Sequence, residues 1–322
     1  MNSTFRLLAH PAPRLNWTIL CAPVACSASR FRDFEADDIA RALICGLKLL
    51  RDGIGENDFN VIFTAGPKVR HFYFQIIPRG GTEYRANMEG GFELSTGISV
   101  ITVDPRAAAE ALRARSKVGP SPPREENRRK HVCLFCSRKT PSSLFFVRSD
   151  GSIYVPQESQ SFEAAAHFWR NCDSTKITAN YDLVRDLAKF NQSPPSEPDD
   201  AVRCFANLTP ALVFDGDENT VLLSLAKPQE YGVELPDLQL KEVACFVRAF
   251  QFLEQAAEHR NLTLVAFFNS GPSAAGSVLC PHGQCWFLRD PPTTLVQIPE
   301  GQPNRECCAV CDMLKEEELV II

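Results

Sequence analysis

Apolar positions along the chain recur in two rhythms. Between residues 36 and 51, Ile39, Leu43, Leu47 and Leu50 return at helical spacing, with Asp37 and Asp38 in the first turn, where carboxylates favour the helix dipole. Shorter apolar runs read as strands: Leu7–Ala9 and Trp17–Cys21, each flanked by prolines, then FNVIFT (59–64), HFYFQII (71–77) and ISVITV (98–103). Asp104-Pro105 sets an N-cap residue before a proline at the first helical position, and AAAEALRA continues as a helix. Farther on, LFFV and SIYV flank Asp150-Gly151, a dipeptide suited to a type I′ hairpin turn. TVLLSLA (220–226) reads as a strand and 238–259 as a long helix with Val243, Phe246, Phe250 and Leu253 on one face. LTLVAFF (262–268) and QCWFL (284–288) are strands around a loop of small residues, and DMLKEEEL is a last helix.

Two segments interrupt this texture. SKVGPSPPREENRRK (116–130) and QSPPSEPDD (192–200) bury no apolar surface and read as linker or surface loop. The first, whose run Arg124 to Lys130 is a solvated charge cluster, divides the 322 residues into parts 1–115 and 131–322. The two parts share an order of elements. In each, an amphipathic helix leads to a strand, ending in Phe63-Thr64-Ala65-Gly66-Pro67 or in Phe268-Asn269-Ser270-Gly271-Pro272. A second strand follows, in which His71 aligns with Cys280, Tyr73 with His282 and Gln75 with Gln284. This repetition predicts an internal duplication.

Composition narrows the function classes. The net charge of −5 argues against a nucleic-acid surface spread over the chain, because phosphate backbones require clustered cations. No apolar run reaches the roughly 20 residues of a membrane span, and the opening MNSTFRLLAHPAPRLNW has no uninterrupted apolar segment, so an export signal is not expected. Thirteen cysteines, including the C-x-x-C pairs Cys133/Cys136 and Cys308/Cys311, then read as reduced cytoplasmic thiols with metal-binding potential.

The segment with the strongest chemical content is FFNSGPSAAGSVLCPHGQCW (267–286). Asn269, Gly271, Ser273, Gly276 and Ser277 make a loop whose backbone N–H groups can approach an anion closely. Strand alternation puts Cys280, His282 and Gln284 on one face just after it. A neutral imidazole beside bound phosphate can attack phosphorus and carry it covalently, and an amide such as Gln284 can hold the non-bridging oxygens. A lone histidine near a turn is more often structural; the loop before His282 and the Gln two residues on favour chemistry.

These residues resemble the histidine-triad superfamily, and within it the galactose-1-phosphate uridylyltransferase branch, whose segment reads approximately N-x-G-x-x-x-G-x-S-x-x-H-P-H-x-Q. Asn269, Gly271, Gly276, Ser277, Pro281, His282 and Gln284 match it, with Cys280 at the first His. RCFANLTPAL (203–212) is similar to the branch's R-x-F-P-N-K-Y-P-A-L, CLFC (133–136) to its zinc-binding C-P-F-C, HFYFQIIPR (71–79) to H-x-H-x-E-I-x-P-R, GGFELSTGISV (90–100) to A-G-F-E-x-x-T-G-I, and CCAVCDMLKEEE (307–318) to C-x-x-C-D-x-L. The order is rotated: the half that comes second in the family opens this chain, and joining residue 322 to residue 1 would restore it. The resemblance thus implies a circularly permuted member.

The fold so implied is α+β, with two halves, each an antiparallel sheet with packed helices, forming an intramolecular pseudo-dimer. The implied activity is nucleotidyl transfer through His282 with help from Gln284, from UDP-glucose to galactose 1-phosphate. A nucleotide-sugar or dinucleoside polyphosphate phosphorylase differs only in the acceptor. A degraded nucleotide-binding protein and a zinc-stabilised scaffold are the rival readings. Phe205, Asn207, Asn269, Gly276 and Ser277 would bind nucleotide and phosphate, and Arg79 and Glu93 would lie on the acceptor side. A structural zinc would take Cys133, Cys136, Cys280 and Glu230, because thiolates and a carboxylate suit its tetrahedral shell. The family often pairs, which implies a homodimer. Tyr73 and Gln75 replace the His and Glu of the other half, so a metal site there is lost and Tyr73 is a packed or substrate-touching aromatic. His10, His71, His131, His167 and His259 join no constellation.

Overall fold

Hydrogen bonding between the apolar runs, not the runs themselves, sets the architecture. The computed structural model describes residues 4–10, 17–24, 30–67, 69, 72–79, 104–115, 145–154, 201–206, 218–225, 233–259, 261–271, 274, 280–288 and 313–322. In chain order the elements are β1 (Phe5–Ala9), β2 (Ile19–Pro23), α1 (Ala36–Ile54), β3 (Phe59–Ala65), β4 (Phe74–Pro78), α2 (Pro105–Arg115), β5 (Phe145–Arg148), β6 (Ile153–Tyr154), β7 (Ala201–Ala206), β8 (Glu218–Leu225), α3 (Leu240–His259), β9 (Thr263–Ser270) and β10 (His282–Leu288). The strands pair antiparallel in one ten-stranded sheet ordered β1-β2-β4-β3-β9-β10-β8-β7-β5-β6. The class is therefore α+β. The segments 98–103, 116–130 and 192–200 lie outside the described residues.

Helices α1 and α3 pack on each other and on one face of this sheet. Helix α1 ends where Gly55, at φ 72°, takes the left-handed conformation and its N–H returns to the Arg51 carbonyl. The layer between helices and sheet is largely phenylalanine. Phe63 of β3 lies 4.9 Å from Phe74 of β4 and 5.5 Å from Phe250 of α3, and Phe250 lies 5.4 Å from Phe268 of β9. Residues from both parts of the chain thus fill one core.

The ladders give a row of mutually opposed residues. Ile62 faces Phe267 across β3–β9; outward on one side come Gln75, Leu20 and Leu8, and on the other Gln284, Leu222 and Phe205. Counting from the middle, Gln75 and Gln284 occupy matching places, as the sequence alignment expects. The same count matches Arg6 with Arg203, an equivalence the sequence reading does not contain.

Three local expectations need correction. The 145–154 hairpin does not use a type I′ turn. Asp150 keeps a negative φ, only Gly151 is left-handed at 85°, and Arg148 N–H reaches the Ser152 carbonyl, which closes a three-residue loop. A type I′ turn needs both central residues at positive φ. The strand expected at 71–77 begins its pairing at Phe74, and His71 is outside the described residues. Of the described part of DMLKEEEL only Met313 is helical; beyond it the Glu316, Leu319 and Val320 N–H groups bond three residues back in successive turns. Leu319 and Ile321 instead pair with β1 through Ala9 N–H to Leu319 O and Ile321 N–H to Leu7 O. Three consecutive glutamates near a helix C-terminus would oppose its dipole, and the open edge of β1 offers these backbone groups partners instead. Among the described residues no helix is long and apolar enough to cross a membrane.

Helix α3 also grips the 3-10 turn at Phe31–Asp33. Gln251 donates to the carbonyls of Phe31 and Phe34, and Glu254 accepts the Arg32 N–H at 2.9 Å. Glu254 is 3% exposed. Burial raises its pKa from 4.5 to about 7, against the Arg32 N–H bond and the Arg32 charge, which lower it. A carboxyl that holds its proton more tightly when folded stabilises most below its unfolded pKa, and that contribution is lost as pH rises through about 7. Relative to Glu254→Gln, the wild type should therefore lose up to about 3 kcal/mol of stability between pH 4 and pH 8. Urea unfolding of both proteins across that range tests this; parallel pH profiles would contradict it.

Candidate functional site

Gly283 tells which way β10 faces. A Cβ there would sit 2.8 Å from Cζ of Phe250 on α3, so position 283 points to the helices. Alternation then turns His282, Gln284 and Trp286 to the opposite face of the sheet. Phe267 lies on that face too, with its ring 4.8 Å from Trp286 in an edge contact. Phe268, in contact with Phe246 and Phe250, faces the helices, which puts Asn269 with His282.

His282 is 3% exposed, and its Nδ1 lies 2.9 Å from the Cys280 carbonyl. A carbonyl only accepts, so Nδ1 carries the proton, and in the neutral ring Nε2 keeps its lone pair. The lone pair of the neutral ring is thus on the nitrogen remote from the backbone, the form a nucleophile or base requires.

The neighbouring strand contributes amides. Asn60 on β3 stands opposite Asn269 on β9, and its Nδ2 donates to Asn269 Oδ1 at 2.7 Å and to the Ala274 carbonyl at 3.1 Å. Ala274 N–H in turn reaches the Gly271 carbonyl. Gly271 has φ 87°, and a Cβ there would collide with the Asp58 carboxylate, so only glycine fits the start of this loop.

On the other side of His282, Ser224 of β8 is its register partner and Arg203 of β7 is the partner of Ser224. Two strand spacings put Arg203 roughly 10 Å away, measured between Cα atoms. Arg203 is 2% exposed, and its guanidinium lies 5.4 Å from the Phe205 ring centre. Phe205 is buried in the row of Gln284, two strands out. A permanent positive charge therefore lies in the row of the imidazole.

Arg79 follows β4, and its N–H bonds the Asp58 carbonyl at 2.8 Å. That register carries it to the loop end of the sheet, three strands from His282 or roughly 14 Å. The fold thus brings His282, Gln284 and Asn269 together, sets Phe205 two strands out and leaves Arg79 farthest away. Asn207, Gly276, Ser277 and Glu93 lie outside the described residues, as do Cys133, Cys136 and Glu230. Of the expected zinc ligands only Cys280 is described, and it is buried; no group of three or more His, Cys, Asp and Glu converges among the described residues.

At the matching place in the first part, Tyr73 is a packed aromatic, buried with Leu8, Leu20, Ala22, Met313 and Leu314. Burial raises its phenol pKa. Arg6, the match of Arg203, donates to the Leu314 carbonyl at 3.0 Å. The segment after 312 thus covers this side.

Arg203 and Asn60 are the site residues that sequence reasoning missed. Arg203 lies inside the quoted RCFANLTPAL string, and Asn60 is the one polar side chain early in FNVIFT. A polar residue interrupting an apolar strand is the signal that could have found Asn60. Comparisons with protein-family models, with curated proteins and with solved structures give no match.

Two outcomes follow from this geometry. Long-range 1H–15N spectra should show His282 protonated at Nδ1 and unprotonated at Nε2; the reverse tautomer would contradict the Cys280 contact. Gly283→Ala should cost about 1–3 kcal/mol through overpacking on Phe250, and Phe250→Leu should recover part of it in denaturant unfolding.

Proposed function

We propose that the chain is a nucleotidyltransferase that works through a covalent nucleotidyl-histidine at His282. The observation that carries this reading is the Nδ1 bond to the Cys280 carbonyl, which leaves Nε2 as a lone-pair nucleophile beside Asn269 and in the row of Arg203. The resemblance to the galactose-1-phosphate uridylyltransferase branch supplies the substrates: UDP-glucose as donor and galactose 1-phosphate as acceptor.

Nε2 attacks the α-phosphorus, a P–N bond forms, and the bond from the α-phosphorus to the bridging oxygen breaks, releasing glucose 1-phosphate. A phosphate oxygen of galactose 1-phosphate then attacks the same phosphorus, the P–N bond breaks, and UDP-galactose leaves. Charge grows on the non-bridging oxygens in both steps. Asn269, Gln284 and the loop with Gly276 and Ser277 are placed in sequence to meet it. Phe205 and Asn207 would line the base and ribose pocket, with Arg79 and Glu93 on the acceptor side. With orthophosphate as acceptor the same two steps become phosphorolysis of a nucleotide sugar or dinucleoside polyphosphate.

The row centred on Ile62 and Phe267 supports two duplicated halves, 1–115 and 131–322, joined as an intramolecular pseudo-dimer with only the second half carrying the imidazole. The pairing of Leu319–Ile322 with Leu7–Ala9 brings the ends together, as the permuted order requires. Zinc held by Cys133, Cys136, Cys280 and Glu230 would brace the segment before His282; it enters no step above. The many thiols favour a reducing cytoplasmic setting, and pairing of two chains follows the family habit.

A second reading, a nucleotide-binding protein without turnover, is favoured by the 3% exposure of His282. One experiment separates them. Incubation with UDP-glucose labelled at the α-phosphate should give protein-bound label that is stable in base and released by acid, and His282→Ala should give none. No label on the wild type, or equal label on the variant, would leave the binding protein as the surviving reading.

A further inference from the structure

We infer that Asn60, contributed by the first part of the chain, is a positioning residue that aims the amide of Asn269 at the phosphate-binding side of His282. The inference rests on the nucleotidyl-transfer reading above and names a residue that it does not use.

The argument runs outward from one backbone atom. The Ala274 carbonyl only accepts, so the group 3.1 Å from it on Asn60 is the NH2 end, Nδ2. With Nδ2 so placed, the atom of Asn269 that meets it at 2.7 Å must be the acceptor Oδ1, because an NH2 there would set donor against donor. Asn269 therefore has a fixed amide: Oδ1 is engaged and both N–H donors are turned away from Asn60. Asn269 shares the sheet face of His282, on the strand beside it. Developing negative charge on a phosphate oxygen needs N–H donors there, not a carbonyl oxygen.

Two further observations separate this from ordinary strand packing. Asn60 is 3% exposed, yet its Oδ1 has no hydrogen-bond partner among the described residues. A residue chosen for stability alone would be apolar here. The chain supplies that comparison: the place matching Asn60 about the centre of the β3–β9 ladder is Val265, paired with Thr64. The amide pair exists only at the end that carries the imidazole.

The same bond also ties the loop. Nδ2 of Asn60 and the Gly271 carbonyl both hold Ala274, so the turn that follows β9 is pinned to the other part of the chain.

The test is a double-mutant cycle on the single-turnover rate of label transfer from α-labelled UDP-glucose to His282. Asn60→Val copies the residue at the matching place, and Asn60→Asp keeps the size while removing the donor. Each should slow labelling by roughly 10- to 100-fold, the range typical when a supporting group is removed from a reacting one. Asn269→Ala should slow it at least as much. In the Asn269→Ala background, Asn60→Val should have a much smaller effect than in the wild type, because its route through the Asn269 amide is gone and only the tie to Ala274 is left to lose. A structural role gives a different pattern, with rates that multiply and a lowered melting point that tracks them. Multiplying rates, or unchanged labelling in both Asn60 variants, would overturn this inference while leaving the covalent histidine intact. A wild type that takes no label would overturn the functional reading and this inference with it.

Discussion

The antiparallel ladder between β3 and β9 is the constraint on which the site depends. It joins strands separated by about two hundred residues of chain, with Phe59 opposite Ser270 at one end and Ala65 opposite Leu264 at the other. A shift of one residue would turn every side chain of one strand to the other face. Asn269 would then enter the phenylalanine layer and Phe268 would take its place beside His282. The large apolar residues Phe63, Phe250 and Phe268 thus do more than exclude water. By making such a shift costly, they hold a polar arrangement on the far face in register.

That division of labour explains what could be read in the chain beforehand. Helical spacing in 36–51 and strand alternation around His282 are local properties, and the elements formed where those rhythms lie. The alignment of Gln75 with Gln284 is likewise written in neighbouring residues. Asn60 is different, because its meaning comes from a partner far along the chain, and no local rhythm names that partner. Arg203 was visible as a letter in a motif, but its row with His282 exists only once β7, β8 and β10 pair. The turn at 149–151 failed for another reason: Asp-Gly serves several hairpin geometries, and a single residue in the loop decides between them. Past Met313 the final segment departs from helix because an unpaired strand edge competes for its backbone groups.

The imidazole is both well prepared and well hidden. Its tautomer is set by a backbone carbonyl that cannot change role, which keeps the lone pair on Nε2. Yet its low exposure means that, on the nucleotidyl-transfer reading, a phosphorus atom would reach it only when whatever covers the ring gives way. Exclusion of water would then come with the fold, which favours transfer to a bound acceptor over hydrolysis of a covalent intermediate.

The tail on β1 has a consequence for assembly. Antiparallel sheets invite growth at their margins, where a second molecule can add a strand to unused backbone groups. On this margin Leu7 and Ala9 are already occupied by Leu319, Ile321 and Ile322. A neighbour seeking to extend the sheet there must first peel away residues 319–322, which steers self-association at this margin toward docking of surfaces and away from continuous ribbons.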